Sequence, residues 1–112
     1  MPTFEPGDLV VVPFPFTDSA ASKRRPALVI STADFQQANA AVVLAMVTTA
    51  KHSRWDGDVK LREWKSAGLP QVSVVRLKLF TLDARFVLRK LGTLASKDRL
   101  AVSTNLKQFV GI

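Results

Sequence analysis

The segment AVVLAMVTT, residues 41–49, is apolar from its first residue to Val47 and then ends in two threonines. A short apolar run that is rich in β-branched residues is typical of a strand whose two faces are both buried. The segment therefore predicts the central strand of a sheet, and the segments on either side of it indicate how that sheet is built.

Further strands are predicted before and after this central strand. The strand that begins at Leu9 contains Pro13 and Pro15, which cannot donate hydrogen bonds, so it is expected at an edge of the sheet or broken after Val12. Gly92 indicates a turn within the last strand. The predicted strands are, in chain order, residues 9–16, 26–31, 41–49, 59–64, 71–82 and 85–94.

The strand over residues 71–82 alternates between apolar and other residues, as a strand with one buried face does. One set of side chains is predicted to face the core and the other set to share the opposite side, where it could line a groove or an interface. The inward set is Val75, Leu77 and Leu79, and the outward set is Arg76, Lys78 and Phe80.

The chain ends in a predicted helix over residues 96–110. Ser96 is a suitable N-cap, and the apolar residues Val102, Leu106, Phe109 and Val110 recur at helical spacing. Five or six short, mostly antiparallel strands with one closing helix fit a mainly β fold, either a strongly bent sheet or a partly open barrel. With 112 residues, 47% of them hydrophobic, the chain fits a single domain over residues 1–112.

The charge of the chain is strongly positive and unevenly distributed. The formal net charge is +7; residues 1–22 carry three acidic and no basic residues, whereas residues 76–100 carry seven basic and two acidic residues. A chain with this charge commonly binds a polyanion or an acidic protein. The alternative is that the positive charge only keeps the protein soluble. Without cysteine, a signal peptide or an apolar run of about 20 residues, the chain is expected in the cytoplasm and not in a membrane.

Several kinds of catalytic site are absent from the sequence. It contains no phosphate-binding GxxxxGK[ST] loop, no HExxH motif, no cysteine and a single histidine, His52, and no pair of carboxylates stands out. No cofactor or metal site is therefore predicted. The candidate functional residues that remain are cationic or hydroxylic: Lys23, Arg24, Arg25, Thr48 and Thr49.

The predicted sheet brings two of these groups together. If residues 27–31 and 41–48 form neighbouring antiparallel strands, the start of the first strand lies beside the end of the second, so Arg25 lies near Thr48 or Thr49. A guanidinium is a permanent cation with forked donors, and beside a hydroxyl it can clamp a phosphate. The alternative is that Lys23 to Arg25 form a solvated turn and that Thr48 only ends its strand.

The order of these segments resembles the MazF/PemK family of toxin endoribonucleases. The similarity lies in GDLVVVPFPFTD (residues 7–18), KRRPALVIS (23–31), AVVLAMVTT (41–49), SVVRLKLFTLD (73–83) and LGTL (91–94) before a C-terminal helix. The resemblance implies an SH3-like barrel of five to seven strands with a C-terminal helix. It also implies a homodimer that cleaves single-stranded RNA without a metal ion and is neutralised by an acidic cognate antitoxin.

The resemblance also assigns roles to residues. Arg25 and Thr48 match the catalytic pair of the family, and the residues expected to contact RNA lie on the adjoining loops and strand ends. The rival interpretation is a toxin without catalytic activity, such as a DNA gyrase poison, or a barrel that only binds nucleic acid. The predicted RNA-binding residues are Phe16, Thr17, Lys23, Arg24, Thr49, Lys51 and His52.

Overall fold

The computed structural model describes residues 3–14, 23–51 and 54–112. Within these residues, six strands form one sheet in the order β4-β5-β3-β2-β1-β6, and all neighbours are antiparallel. The predicted mainly β fold with a C-terminal helix is confirmed. The strands are β1 (Asp8–Phe14), β2 (Lys23–Val29), β3 (Ala41–Thr49), β4 (Val59–Lys60), β5 (Ser73–Asp83) and β6 (Arg89–Thr93).

Two helices and a single turn of 3₁₀ helix, Ala84–Phe86, accompany the sheet in the described part of the chain. Helix α1 (Ala33–Asn39) begins where the Thr32 hydroxyl accepts the N–H of Phe35. Helix α2 (Ser96–Phe109) begins one residue earlier than a Ser96 cap would place it, because Ala95 occupies the N-cap position. The predicted cap at Ser96 is therefore wrong, although the helix itself is confirmed.

Apolar residues on the two faces of the sheet form two separate cores. The first core includes Leu9, Leu28, Val47 and Val75 and is covered by Val102 of α2, and we call it the helix-side core. The second core lies on the opposite face, because its residues alternate with those of the first along each strand. Its buried members are Val10, Val12, Ala27, Val29, Val42, Leu44 and Leu82.

The central strand is buried on both faces, as its composition predicts. In β3, Val42 and Leu44 belong to the second core, whereas Ala45 and Val47 belong to the helix-side core. Strand β3 lies between β2 and β5, so its backbone is paired on both sides. Its last residues, Thr48 and Thr49, are only half-buried, which places two hydroxyl groups where the sheet reaches solvent.

Two predicted strands differ from the structure in extent. Strand β1 continues through Pro13 to Phe14, the last residue described before residue 23, instead of breaking after Val12; its pairing with β6 stops at Val11, so the missing N–H of Pro13 leaves that ladder intact. Strand β4 contains only Val59 and Lys60, and residues 61–69 form successive turns instead of continuing the predicted strand.

Gly92 lies inside strand β6, so the turn predicted at this residue is absent. The absence of a side chain at Gly92 instead allows the chain at Ala67 to pass directly against it. A Cβ atom at Gly92 would overlap the carbonyl oxygen of Ala67, and one at Gly68 would overlap the carbonyl oxygen of Leu91. Gly92 also lies where the register between β1 and β6 shifts. The glycine in LGTL therefore permits the segment over residues 61–69 to pack against the edge of the sheet.

We expect Gly92→Ala to lower the free energy of unfolding by roughly 3 kcal/mol, at the upper end of the usual cost of overpacking, because backbone atoms must move apart. Urea denaturation measures the loss. Gly111→Ala is the control, since nothing lies within 4 Å of the added carbon; its cost is that of a side chain on a left-handed backbone (φ +94°), about 1–2 kcal/mol, and should be the smaller of the two. Equal losses in the two variants would contradict the proposed contact.

Candidate functional site

The pairing of β2 with β3 brings Arg25 and Thr48 to the same end of the sheet. The ladder pairs Ala27 with Met46 and ends there, directly beside Pro26, whose nitrogen has no hydrogen to donate. Continuing this register by two positions pairs Arg25 with Thr48. Both residues line the same two pockets, so the juxtaposition predicted from the sequence is present.

The two pockets lie on opposite faces of the sheet and meet at Arg25 and Thr48. Alternation along β1 places Val12 in one pocket and Val11 in the other. Arg25, Pro26, Val47 and Thr48 line both pockets. Arg25 and Thr48 therefore lie at the junction between the two pockets.

The first pocket, which we call the aromatic pocket, has a volume of about 270 Å³ and mostly apolar walls. Phe14 and Phe80 are half-buried at its sides, and Arg76 is the buried cation of its lining, with 8% of its surface exposed. The sequence already places Arg76 and Phe80 on one face of β5. Lys78, the third residue predicted on that face, is exposed and does not line the pocket.

The second pocket, which we call the cationic groove, carries three arginines. Arg24 and Arg25 come from β2, and Arg89 comes from β6, on the far side of β1. Thr48 and Thr49 add hydroxyl groups at the end of β3. No carboxylate belongs to the described lining of either pocket, so this part of the surface suits a negatively charged ligand.

An ion pair with ideal two-point geometry holds Arg76 in place. Its Nε donates to Asp58 Oδ1 at 3.1 Å and its Nη2 donates to Asp58 Oδ2 at 2.9 Å, while the guanidinium lies 5.1 Å from the centre of the Trp55 ring. The backbone N–H of Trp55 also donates to Asp58 Oδ2, at 3.0 Å. The turn over residues 55–58 is therefore attached to the wall of the aromatic pocket.

These contacts shift the pKa values of both partners. Burial alone acts to raise the pKa of Asp58, but the hydrogen bonds from Arg76 and Trp55, with the charges of Arg76 and Arg54, outweigh it and lower that pKa below its ordinary value. The hydrogen bond to Asp58 raises the pKa of Arg76 further above its already high value. Both groups are therefore charged at neutral pH.

Two other buried carboxylates have structural partners away from the pockets. Asp8 accepts the N–H of Glu5 at 2.9 Å and the hydroxyl of Thr93 at 3.0 Å. Asp98 accepts the backbone N–H groups of Arg62 and Glu63 at 3.0 and 2.9 Å, which fixes the start of the turns over residues 61–69. These contacts give both carboxylates a role in holding the fold.

The remaining predicted site residues fall into three groups. Arg24 and Thr49 line the cationic groove, as expected of residues that contact the same ligand as Arg25. Lys23 and Lys51 are exposed at the ends of β2 and β3 and line neither pocket. Phe16, Thr17 and His52 lie outside the described residues.

Sequence reasoning missed Arg89 and Phe14 as parts of the site. Arg89 is 64 positions from Arg25 in the chain, and it reaches the groove only because β6 pairs with β1 on the side opposite β2. Phe14 lies on β1, and alternation along a strand does not by itself distinguish a pocket wall from core packing.

The comparison with known families gives one match that covers nearly the whole chain. Residues 5–110 match the family described as "PemK-like, MazF-like toxin of type II toxin-antitoxin system". This chain belongs to that toxin family. The resemblance noted in the sequence is thereby confirmed, and the toxin's Arg25 and Thr48 lie within the matched residues. No curated protein matched this toxin.

Solved structures show the same fold as this toxin. MazF (form I) from Deinococcus radiodurans is 23% identical and superposes over all of both chains with a TM-score of 0.75. The MazE–MazF complex (form III) from the same organism is 24% identical, covers 97% of each chain and has a TM-score of 0.77. A mycobacterial endoribonuclease in complex with its cognate antitoxin is 18% identical, covers 100% of this chain and 97% of its own, and has a TM-score of 0.75.

No helix among residues 3–14, 23–51 and 54–112 has the length and apolar character needed to cross a membrane. Nor do these residues contain a group of three acidic or histidine side chains placed to hold a metal ion.

Proposed function

We propose that this toxin is an endoribonuclease that cleaves single-stranded RNA by attack of the substrate's own 2′-hydroxyl on the adjacent phosphorus. The observation that carries the proposal is the meeting of Arg25 and Thr48 at the junction of the two pockets, in a chain of the PemK-like and MazF-like toxins. A solved structure of the same fold is described as an endoribonuclease, which supports the same activity here.

The protein does not need to provide a nucleophile, because the RNA supplies its own 2′-hydroxyl. The 2′-oxygen forms a bond to phosphorus, the bond to the 5′-oxygen of the next nucleotide breaks, and the products carry a 2′,3′-cyclic phosphate and a 5′-hydroxyl. The enzyme must align the attack and stabilise the negative charge that develops on the non-bridging oxygens. This reaction needs no metal-activated water, so we propose that it proceeds without a metal ion.

Arg25 and Thr48 have complementary roles in this proposal. The forked donors of Arg25 bind the non-bridging oxygens as their charge increases, and the hydroxyl of Thr48 donates to one of those oxygens or orients the 2′-hydroxyl. One proton leaves the 2′-hydroxyl and one is taken up by the departing 5′-oxygen. We propose that Arg25 assists this proton transfer and that His52, the single histidine of the chain, is a candidate to share the role.

The cationic groove supplies the contacts that hold the RNA backbone. Arg24 and Arg89 flank Arg25 on the same surface, and neither depends on base identity to bind a phosphate. Lys23 and Lys51 extend the positive charge beyond the groove at the strand ends. We expect this part of the binding to weaken as salt rises, because phosphate contacts release condensed counterions.

The positive net charge of the toxin also indicates what kind of partner inhibits it. A formal net charge of +7 favours an acidic antitoxin, and solved structures of this fold include a complex of MazE with MazF. We propose that an acidic cognate antitoxin covers the same cationic groove that binds RNA. We further propose a homodimer as the active unit, as the family resemblance implies.

The decisive experiment incubates the pure toxin with mixed cellular RNA in EDTA and maps the fragment ends. We expect discrete fragments with 5′-hydroxyl and 2′,3′-cyclic phosphate ends, and loss of cleavage when an acidic antitoxin is added. Intact RNA, or fragments with 5′-phosphate ends, would contradict the proposal. Intact RNA together with stalled DNA gyrase would instead favour a toxin that acts by binding a protein.

A further inference from the structure

We propose that a third pocket, between α2 and the sheet, binds a small monocarboxylate whose apolar body is about the size of a benzene ring. We call it the helix pocket, and its walls come from Pro6 and Gly7 before β1, from residues 28–30, from Leu94 and from α2. It shares no described lining residue with the aromatic pocket or the cationic groove. The inference therefore goes beyond the cleavage of RNA and does not depend on it.

The walls of the helix pocket are mainly apolar. Leu28, Leu94 and Val102 are buried members of the helix-side core. Ile30 and Leu106 are half-buried and pack against that core. The pocket has a volume of about 180 Å³, and an engineered apolar cavity of about 150 Å³ in another protein binds benzene. The pocket therefore has room for one ring or for a short aliphatic chain.

Arg99 places a positive charge at the mouth of this pocket, and no carboxylate in the described part of the chain pairs with it. Its side chain is exposed, belongs to the lining, and forms no ion pair with a described residue. Asp8, which follows Gly7, is occupied elsewhere by the hydroxyl of Thr93 at 3.0 Å and by Lys90 Nζ at 3.4 Å. A carboxylate ligand would supply the counter-charge in the forked geometry that a guanidinium favours.

Gly7 determines where the side chain of Arg99 lies. Its φ is +98°, and a Cβ atom on it would lie 3.3 Å from Nη1 and 3.5 Å from Cδ of Arg99, so the arginine crosses the glycine closely. Gly7 is itself held in place, because its N–H donates to the carbonyl of Val29 and its own carbonyl accepts the N–H of Leu94, both at 2.9 Å. Packing against this backbone, and not pairing with an acid, therefore positions Arg99 beside the pocket.

Ser103 adds a hydroxyl group one turn further along α2. It lies four residues after Arg99, so the two side chains share one face of the helix, and both line the pocket. Together they offer donors to both oxygens of one carboxylate. A ligand held here contacts α2, the end of β2 and the segment before β1, so its binding should stabilise the folded toxin.

The experiment titrates the ¹⁵N-labelled full-length toxin with 3-phenylpropanoate and follows the backbone amide signals by NMR. Two matched probes are 3-phenylpropanol, which has the same apolar body without the charge, and acetate, which has the charge without the body. Each titration is repeated with Arg99→Gln. The control variant is Lys97→Gln, which removes an exposed positive charge from the same turn of α2 but does not alter the lining of the pocket.

We expect 3-phenylpropanoate to bind with a Kd of about 0.1–1 mM, which is ordinary for so small a ligand, and to shift the amide signals of Leu28, Ile30 and Ser103. The alcohol should bind about 3- to 10-fold more weakly, because the ion pair with Arg99 forms at an exposed position. Acetate should show no binding below about 10 mM. In Arg99→Gln the two phenyl probes should bind equally, whereas Lys97→Gln should keep the difference between them.

Three outcomes would overturn the inference. The first is equal affinity of the wild-type toxin for 3-phenylpropanoate and for the alcohol. The second is the same loss of the carboxylate preference in Lys97→Gln and Arg99→Gln, which would leave only the overall charge. The third is a set of shifted signals around Arg25 and Thr49 instead of the helix pocket, which would place the carboxylate in the cationic groove. Because the titrations contain no RNA, failure of the nuclease proposal would not decide this test.

Discussion

We expect Arg25→Ala to lower the rate of RNA cleavage by about 10³-fold at saturating substrate. Removing one preorganised donor from a developing oxyanion costs about 10²- to 10³-fold, and Arg25 contributes a fork of donors and a permanent charge. Arg25 is exposed at the site junction, so the variant should keep its stability within about 0.5 kcal/mol. Single-turnover cleavage of a labelled RNA in EDTA measures the rate, and urea denaturation checks the fold.

Arg62→Ala is the matched control for this prediction. Arg62 is also exposed and the substitution removes the same charge, but its side chain lines neither pocket of the site. The control should cleave RNA within about twofold of the wild-type rate. Equal rates in Arg25→Ala and Arg62→Ala would show that Arg25 acts only through the overall charge of the toxin.

Two further variants separate the roles of charge, geometry and the hydroxyl. Arg25→Lys keeps the charge but loses the fork, so we expect a rate between those of Arg25→Ala and the wild type. Thr48→Val removes the hydroxyl with little change in volume and should lower the rate by about 10²-fold. If both residues act on the same phosphate, the double variant should lose less than the product of the single losses.

The position of this pair could be predicted because it depends on local pattern. The apolar runs over residues 26–31 and 41–49 both indicate strands, and an antiparallel pairing needs only the short connection between them. Pro26 and the polar end at Thr48 mark where the pairing stops. Arg25 and Thr48 therefore follow from the sequence, whereas the two pockets that they join do not.

The prediction that Val75, Leu77 and Leu79 of β5 face the core is correct at Val75 and wrong at Leu79. Val75 is fully buried in the helix-side core, whereas Leu79, two alternations further along the same face, is 38% exposed. The register between β3 and β5 shifts between Ala45 and Met46 of β3. In the part of β5 beyond this shift, the buried residue Leu82 and the half-buried residue Phe80 belong to the second core. A strongly bent sheet buries different faces at its two ends, and periodicity cannot show where that change occurs.

Helix α2 shows the same limit. Its spacing predicts one apolar face, and Val102 and Leu106 do pack against the helix-side core. Phe109 and Val110 continue that spacing but are 49% and 46% exposed. The pattern of a helix identifies which residues share a face, but it does not show how far along the helix the core extends.

Sequence patterns do not predict the pairing of Asp58 with Arg76. The two residues are 18 positions apart, and Asp58 occupies a turn that by itself suggests a solvated carboxylate. Only the folded chain shows that both side chains are about 90% buried and joined by two hydrogen bonds. The buried ion pair near the site is therefore a contact that the sequence analysis did not propose.

We expect Asp58→Asn to lower the free energy of unfolding by about 3–5 kcal/mol, the usual cost of breaking a buried ion pair from one side. The loss arises because Arg76 keeps its buried charge without the carboxylate that compensates it. Urea denaturation at pH 7 measures the difference. Asp56→Asn is the matched control, since Asp56 is exposed in the same turn, and it should cost less than about 0.5 kcal/mol.

The dependence of this loss on pH distinguishes the ion pair from a purely steric effect. The folded state lowers the pKa of Asp58, so the stabilisation is complete above the unfolded value of about 3.9 and disappears as pH falls through the folded value. The difference between wild type and Asp58→Asn should therefore be constant from about pH 5 to pH 8 and shrink below about pH 4. A difference that stays constant down to about pH 2 would mean that the lost stability does not come from the carboxylate charge. Replacing both partners, in Asp58→Leu with Arg76→Met, should restore most of the stability, because no buried charge then lacks its counter-ion.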